Sequence, residues 1–255
     1  VQKRKYSIYL PYIYTLKKTE MKNLIIFGFF ILILVFAQFA QAQTVDEVIN
    51  KHVAALGGKG NLDKIQNMVM EGSLSIQGAE IALTLTQVHN KLTRQDINAM
   101  GMHGFDMMTD KEGWAFMPFQ GMQKPEPKTA EDVKEGQPDL DLAGPLVDYA
   151  AKGHKVELIG KEDVDGTECY KINTVLAGGK SVAYFIDPAS YMIIRSKSKS
   201  KVNGKEVEVQ TDYSDFKEVD GVKMPYSITL PFGTVLISTI KTNQIIPDSA
   251  YKHDM

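Results

Sequence analysis

The chain has 255 residues, 44% hydrophobic and 24% charged, with a formal net charge of −2. This composition fits a globular protein of one or two domains and excludes general disorder. A single cysteine, Cys169, excludes an intramolecular disulfide and any multi-cysteine zinc or redox motif; it is expected to pack as a structural thiol in a strand.

Residues 1–20 read as an upstream extension, because a secretory signal with its own Met and Lys begins at Met21. Met21-Lys22-Asn23 precedes an apolar run from Leu24 to Ala37, and Ala40-Gln41-Ala42 supplies the small residues of a cleavage site. A signal peptide over residues 21–42, cut before Gln43, is therefore expected, with a product that leaves the cytoplasm. The fourteen apolar residues fall short of the ~20 that a membrane span needs, and no Cys follows them for lipid attachment. Loss of residues 1–42 removes six of 29 basic and one of 31 acidic residues, leaving 23 against 30, or −7. That balance, without a basic cluster, argues against nucleic acid as a partner. Residues 43–255 are expected to form one domain.

Thr44-Val45-Asp46-Glu47 is a capping box, in which Thr accepts from the amide three residues on and Glu reaches back. Val45, Val48, Ile49, Val53 and Leu56 then recur at helical spacing until Gly57-Gly58 stops the helix. From Met68 the period becomes two. Met70, Gly72, Leu74 and Ile76 alternate with polar residues, Gln77-Gly78 turns the chain, and Ile81, Leu83 and Leu85 return. Further strands are predicted over residues 91–98, 101–109 and 113–117.

Six of the twelve Met residues lie between residues 100 and 122, among Phe105, Trp114, Phe116 and Phe119. Met adapts to varied apolar neighbours, so this stretch either fills an irregular core or lines a lipid cavity. Residues 117–145 hold five of the ten prolines, which interrupts regular sheet. Within them, residues 129–135 read as a charged helical piece. Gly144-Pro145 opens a second short helix, in which Leu146, Tyr149 and Ala150 share a face up to Gly153. The stretch 117–153 is long for a connection, as lids are; a loop capping one sheet end is the plainer alternative.

After His154 the strands resume over residues 155–160 and 167–174. Val182-Ala183-Tyr184-Phe185-Ile186 ends at Asp187-Pro188-Ala189-Ser190, a type I turn by its proline. Tyr191 onward runs into Ser196-Lys197-Ser198-Lys199-Ser200-Lys201, and Asn203-Gly204 supplies a type I′ turn. That turn pairs Lys201 with Glu206 and Lys199 with Glu208 on one face, and Ser200 with Val207 and Ser198 with Val209 on the other. The second face is apolar but shallow, so something bulky has to lie over it. Two more strands, from Met224 to Leu230 and over residues 234–241, complete about eleven, all antiparallel by their short turns.

The five histidines, His52, His89, His103, His154 and His253, never fall at i,i+2 or i,i+4 of one another, and neither a His-Glu-x-x-His nor a Gly-x-Ser-x-Gly motif occurs. No metal, cofactor or catalytic residue is expected, and an enzyme is disfavoured.

Asp110-Lys111-Glu112-Gly113-Trp114-Ala115-Phe116-Met117-Pro118, Ala183-Tyr184-Phe185-Ile186-Asp187-Pro188 and Phe216-Lys217-Glu218-Val219-Asp220-Gly221-Val222-Lys223-Met224-Pro225 occur in that order. They resemble the Trp strand, the Ile-Asp-Pro turn and the Val-Asp-Gly-Val hairpin of the LolA/LolB lipoprotein-carrier superfamily. The resemblance implies a half-open antiparallel β-barrel with helices covering its concave face. It also implies a soluble, non-enzymatic periplasmic carrier of lipoprotein acyl chains or lipids, working as a monomer with a membrane-bound transporter and an acceptor. Where the soluble carrier has an Arg-Pro before its third strand, His89-Asn90 stands here, with Arg94 the nearest Arg.

On this reading Ser198, Ser200, Val207 and Val209 form one cavity wall, Met100, Met102, Trp114 and Phe116 another, and Leu146 to Tyr149 the lid. An interaction or sensor module on the same fold, which binds a protein at a sheet edge, is the alternative. A hydrolase using dispersed groups such as His103 or Asp106 is a third reading.

Overall fold

The computed structural model describes residues 43–76, 79–202 and 205–253. The expected upstream extension, the signal peptide and the Gln77-Gly78 and Asn203-Gly204 turns lie outside these residues.

Helix α1 (Val45–Leu56) starts at the expected capping box: Thr44 Oγ1 accepts from Glu47 N at 3.2 Å, and Glu47 Oε2 accepts from Thr44 N at 3.1 Å. Thr44→Ala is expected to cost about 1 kcal/mol, read as a lower urea midpoint at unchanged slope. The helix ends at Gly57, and a single turn, α2 (Lys59–Leu62), follows.

The first run of strands is β1 (Asn67–Ile76), β2 (Ala79–Val88), β3 (Leu92–Ala99), β4 (Met102–Thr109), β5 (Gly113–Phe116) and β6 (Glu126–Pro127). The second is β7 (Lys155–Val164), β8 (Thr167–Val175), β9 (Ser181–Ile186), β10 (Ile193–Val202), β11 (Lys205–Val219), β12 (Val222–Leu230) and β13 (Gly233–Thr242). These thirteen strands among the described residues form one sheet in the order β6-β5-β4-β3-β2-β1-β13-β12-β11-β10-β9-β8-β7. The two-residue β6 is too short to leave a periodic signal, which accounts for part of the excess over the expected number.

The first and last strands pair at the centre of the sheet, and every neighbouring pair is antiparallel. Each half of the chain meanders outward from that seam, so the two free edges, β6 and β7, are neighbours in sequence. Register shifts between Glu71 and Gly72, Leu158 and Gly160, and Ile193 and Arg195 increase local twist. The sheet is a half-open antiparallel barrel, closed by no strand.

Directly paired residues share a face. Met70, Leu85, Gln95, Asp106 and Ala115 therefore lie on one side of the sheet. Leu74, Val235, Ile228 and Tyr213 continue it through β13, β12 and β11. Thr211, Ser196, Tyr184, Ile172 and Leu158 carry it to β7. This is the inner face, because Val48 and Ile49 of α1 pack there against Ile172 and Ile186.

The outer face has its own cores. Leu92, Phe105, Met107 and Phe116 are covered by Ala250 and Tyr251 of the C-terminal segment. Cys169 packs with Val164 and Phe185, and burial, then Asp187 and Asp163 nearby, pushes its thiol up to about 11.

The insertion joins the two free edges. Its helix α3 (Ala130–Gly136) is capped by Thr129 and Asp132, close to the expected helical piece. Gln137 Nε2 donates to Thr109 O at 3.2 Å and Asn90 N to Leu140 O at 2.8 Å, so the segment is pinned to β4 and to the β2–β3 turn. The second helix expected after Gly144-Pro145 is not formed. Residues 145–153 are a run of turns, because Asp148 takes φ +50 and Gly144 φ +80, outside the right-handed helical region. Leu146 and Val147 are nonetheless buried. No helix among the described residues is long and apolar enough to cross a membrane.

Candidate ligand-binding hollow

Between α1, residues 142–147 and strands β9 to β12 the inner face is incompletely filled. A cavity of about 280 Å³ is lined by His52, Leu146, Tyr184, Ile193, Tyr213 and neighbours. A second, of about 210 Å³, is lined by Leu62, Met68, Met70, Leu142, Ile228 and Ile237 among others. Leu56, Ala143, Lys223 and Pro225 border both, so the two adjoin.

The polar groups of the hollow are held by identifiable local structure. The β9–β10 turn is tied by Asp187, whose carboxylate accepts from Ala189 N at 3.2 Å and Ser190 N at 2.9 Å. Tyr191 completes the turn with φ +57, a conformation costly for a bulky residue. Its carbonyl thereby meets His52 Nδ1 at 2.7 Å. Because a carbonyl only accepts, Nδ1 is the donor. His52 is 4% exposed, and burial pushes its pKa down, partly offset by the Tyr191 hydrogen bond.

Across the hollow, Tyr213 OH and Ser196 Oγ share a hydrogen bond of 3.1 Å. Burial raises the phenols of both Tyr184 and Tyr213. The charge of Asp139, from the insertion, contributes to raising both phenols. Its carboxyl is also pushed up by burial, against the pull of Lys180 and Lys128. Asp139 is nonetheless exposed to water and lines neither cavity.

The lowered His52 pKa has a consequence for stability. The neutral imidazole is favoured in the fold, so its contribution is complete above the unfolded value of 6.5. As pH falls below 6.5 the unfolded chain takes up a proton that the fold resists, and stability declines until the lower folded value is passed. Thermal melts across this interval are expected to show a steeper fall for the natural protein than for His52→Gln.

The sequence-based site residues separate into groups. Leu146 and Tyr149 pack with α1 in the inner core, and Tyr149 OH donates to Asp46 Oδ1 at 2.6 Å. Ser198 and Val209 are opposite each other on the inner face, and the backbone of Ser200 is in register with Val207. Val207 is 39% exposed, toward the open end of that face. The ion pairs on the outer side run diagonally, Lys199 to Glu206 at 3.2 Å and Lys197 to Glu208 at 4.0 Å.

The Met and Trp group does not join this wall. Trp114 and Phe116 are on the outer face, where Trp114 stacks on His253 with ring centroids 3.8 Å apart. Met100 sits in the β3–β4 turn, 91% exposed. Met102 shares the inner face but at its rim, 38% exposed. Arg94 also faces outward, 4.5 Å from the Phe105 ring centroid and donating to Lys252 O at 2.7 Å. His103 and Asp106 point to opposite sides of β4, and among the described residues no three His, Cys, Asp or Glu side chains cluster as metal ligands do.

Sequence reasoning missed His52, Ala143, Tyr184 and Tyr213 as lining residues. His52 was detectable, since it falls three residues after Ile49 and four after Val48 on the apolar stripe of α1.

A larger groove of about 750 Å³ crosses the outer side of β7 to β11, with Phe185, Lys155, Lys171, Lys197, Lys199 and Glu208 in its walls. Lys171 is 2.7 Å from Glu162, so the charges there are largely satisfied within the protein. The smaller, apolar inner hollow is the better match to a small-molecule site.

Neither a protein-family model nor a curated protein matches the sequence. Solved structures similar in three dimensions include two at TM-scores above 0.5. A LolA superfamily protein from Nitrosomonas europaea has a TM-score of 0.53 at 14% identity, covering 83% of this chain and 98% of that one. A DUF1329 family protein from Desulfovibrio piger has a TM-score of 0.54 at 15% identity, with coverage of 83% and 98%. At such identities the likeness is one of fold: this chain has the fold of the LolA superfamily protein.

Proposed function

We propose that the protein is a non-enzymatic carrier or binder of acyl chains, from lipids or lipid-modified proteins, that acts as a monomer in the periplasm after export. The observation that carries this reading is the pair of adjoining apolar cavities under α1. Each methylene moved from water into them contributes ~0.8 kcal/mol, so about six give roughly 5 kcal/mol before ordering costs. The inner side of β10 and β11, with Ser198, Val207 and Val209, extends the hollow as an open trough. The insertion over residues 117–153 is the cover that moves when cargo enters. A membrane-bound donor and an acceptor protein are the partners expected of such a carrier.

The test is organic extraction of the full chain purified from a bacterial periplasm, followed by mass spectrometry. Stoichiometric lipid supports the reading. Empty protein that also fails to bind a fluorescent acyl probe contradicts it.

A further inference from the structure

We infer that the hollow prefers amphiphiles whose head group is neutral and carries a hydrogen-bond donor, a hydroxyl or a secondary amide, and that His52 Nε2 is the acceptor that reads it. The inference rests on the acyl-binding reading above and adds the chemistry of the head group.

His52 is buried, and its Nδ1 is committed as a donor to the Tyr191 carbonyl. In the neutral tautomer that this bond selects, Nε2 is an acceptor with no hydrogen on it. No group among the described residues hydrogen-bonds Nε2, and the ring borders the larger apolar cavity. Nε2 is not among the described side-chain atoms that are both buried and unpaired, so it stays accessible from the cavity, and a ligand O–H or N–H gains there a hydrogen bond in apolar surroundings.

The same cavity offers a complementary donor. Tyr184 borders it, and its hydroxyl has no hydrogen-bond partner among the described residues. A hydroxyl or an amide can donate to His52 and accept from Tyr184, whereas an ester can only accept. A carboxylate meets two obstacles: it cannot donate, and it loses solvation among apolar walls; Lys223, which also borders the cavity, is exposed to water, where its attraction is screened. Burial that holds His52 neutral works in the same direction.

The test is displacement of a fluorescent acyl probe from the full chain at about pH 8, where imidazole is neutral and carboxylates are ionised. Competitors share one dodecyl chain and differ in head group: dodecanol, N-methyldodecanamide, methyl dodecanoate and dodecanoate. Dodecanol, the amide or both should compete roughly tenfold better than the methyl ester, the difference one buried hydrogen bond makes. His52→Leu should erase that margin, read as the ratio of donor to methyl ester affinity within the same variant. Tyr184→Phe, a smaller change, should narrow it if the leucine variant does not fold. Comparison of dodecanol with the amide distinguishes the two donor classes. Equal competition by donors and ester, or a margin that survives both substitutions, overturns the inference while the acyl-binding reading stands. Failure of every competitor and of the probe overturns both.

Discussion

An Ala143→Trp variant is expected to lose acyl binding by at least roughly tenfold while keeping its fold. Ala143 has a small side chain and borders both inner cavities, where the two adjoin. An indole there occupies the space that a chain has to cross. Overpacking a filled core costs typically 1–3 kcal/mol, but here the added atoms enter existing voids, so the stability change should stay below about 1 kcal/mol. The Ala143 amide, which donates to Asp141 Oδ1 at 3.0 Å, keeps its bond. Probe titration alongside a thermal melt separates the outcomes. Unchanged affinity would show that acyl chains bind elsewhere.

The second large effect belongs to Gly57→Ala. Gly57 ends α1 at φ +124, and a Cβ placed there would stand 1.9 Å from the Gly221 carbonyl oxygen. Both backbones are fixed: Asn61 Nδ2 donates to Gly57 O at 3.0 Å and Gly221 O at 3.3 Å, tying the end of α1 to the β11–β12 turn. An alanine must therefore lift the end of α1 away from the sheet, besides adopting a φ that side chains rarely take. A cost of about 3 kcal/mol or more is expected, roughly 6–12 °C in Tm for a domain of this size. Because α1 is one wall of the hollow, acyl affinity should fall with it. A Tm within about 2 °C of the natural protein would mean that the junction yields at little cost.

Local features of the chain were legible, and long-range ones were not. The capping box of Thr44 and Glu47 needs only four residues, and the β10–β11 register follows from one turn; both occur as read. The helix expected after Gly144 failed on Asp148, which takes φ +50, a left-handed conformation that Asp tolerates but that no local pattern in the sequence marks. The assignment of Trp114 and Phe116 to the cavity failed for a different reason. Alternation along β5 says that Trp114 and Ala115 face opposite ways, but which of them faces inward depends on a register passed through β4, β3 and β2 to β1. Their cover, the segment with Ala250 and Tyr251, joins them from far along the sequence. Pairing of β1 with β13, which makes one sheet of two meanders, is likewise absent from any local pattern. The motifs behind the family resemblance work because they mark turns, and turns are local.

The most direct measurement is photo-crosslinking with a diazirine-bearing acyl chain, followed by peptide mapping of the full chain. Adducts on the segment holding Leu142, Ala143 and Leu146, and on the strands holding Tyr184 and Tyr213, are the expected result. Adducts confined to the outer groove around Phe185 and Lys171, or to the Trp114 patch, would contradict acyl binding under α1.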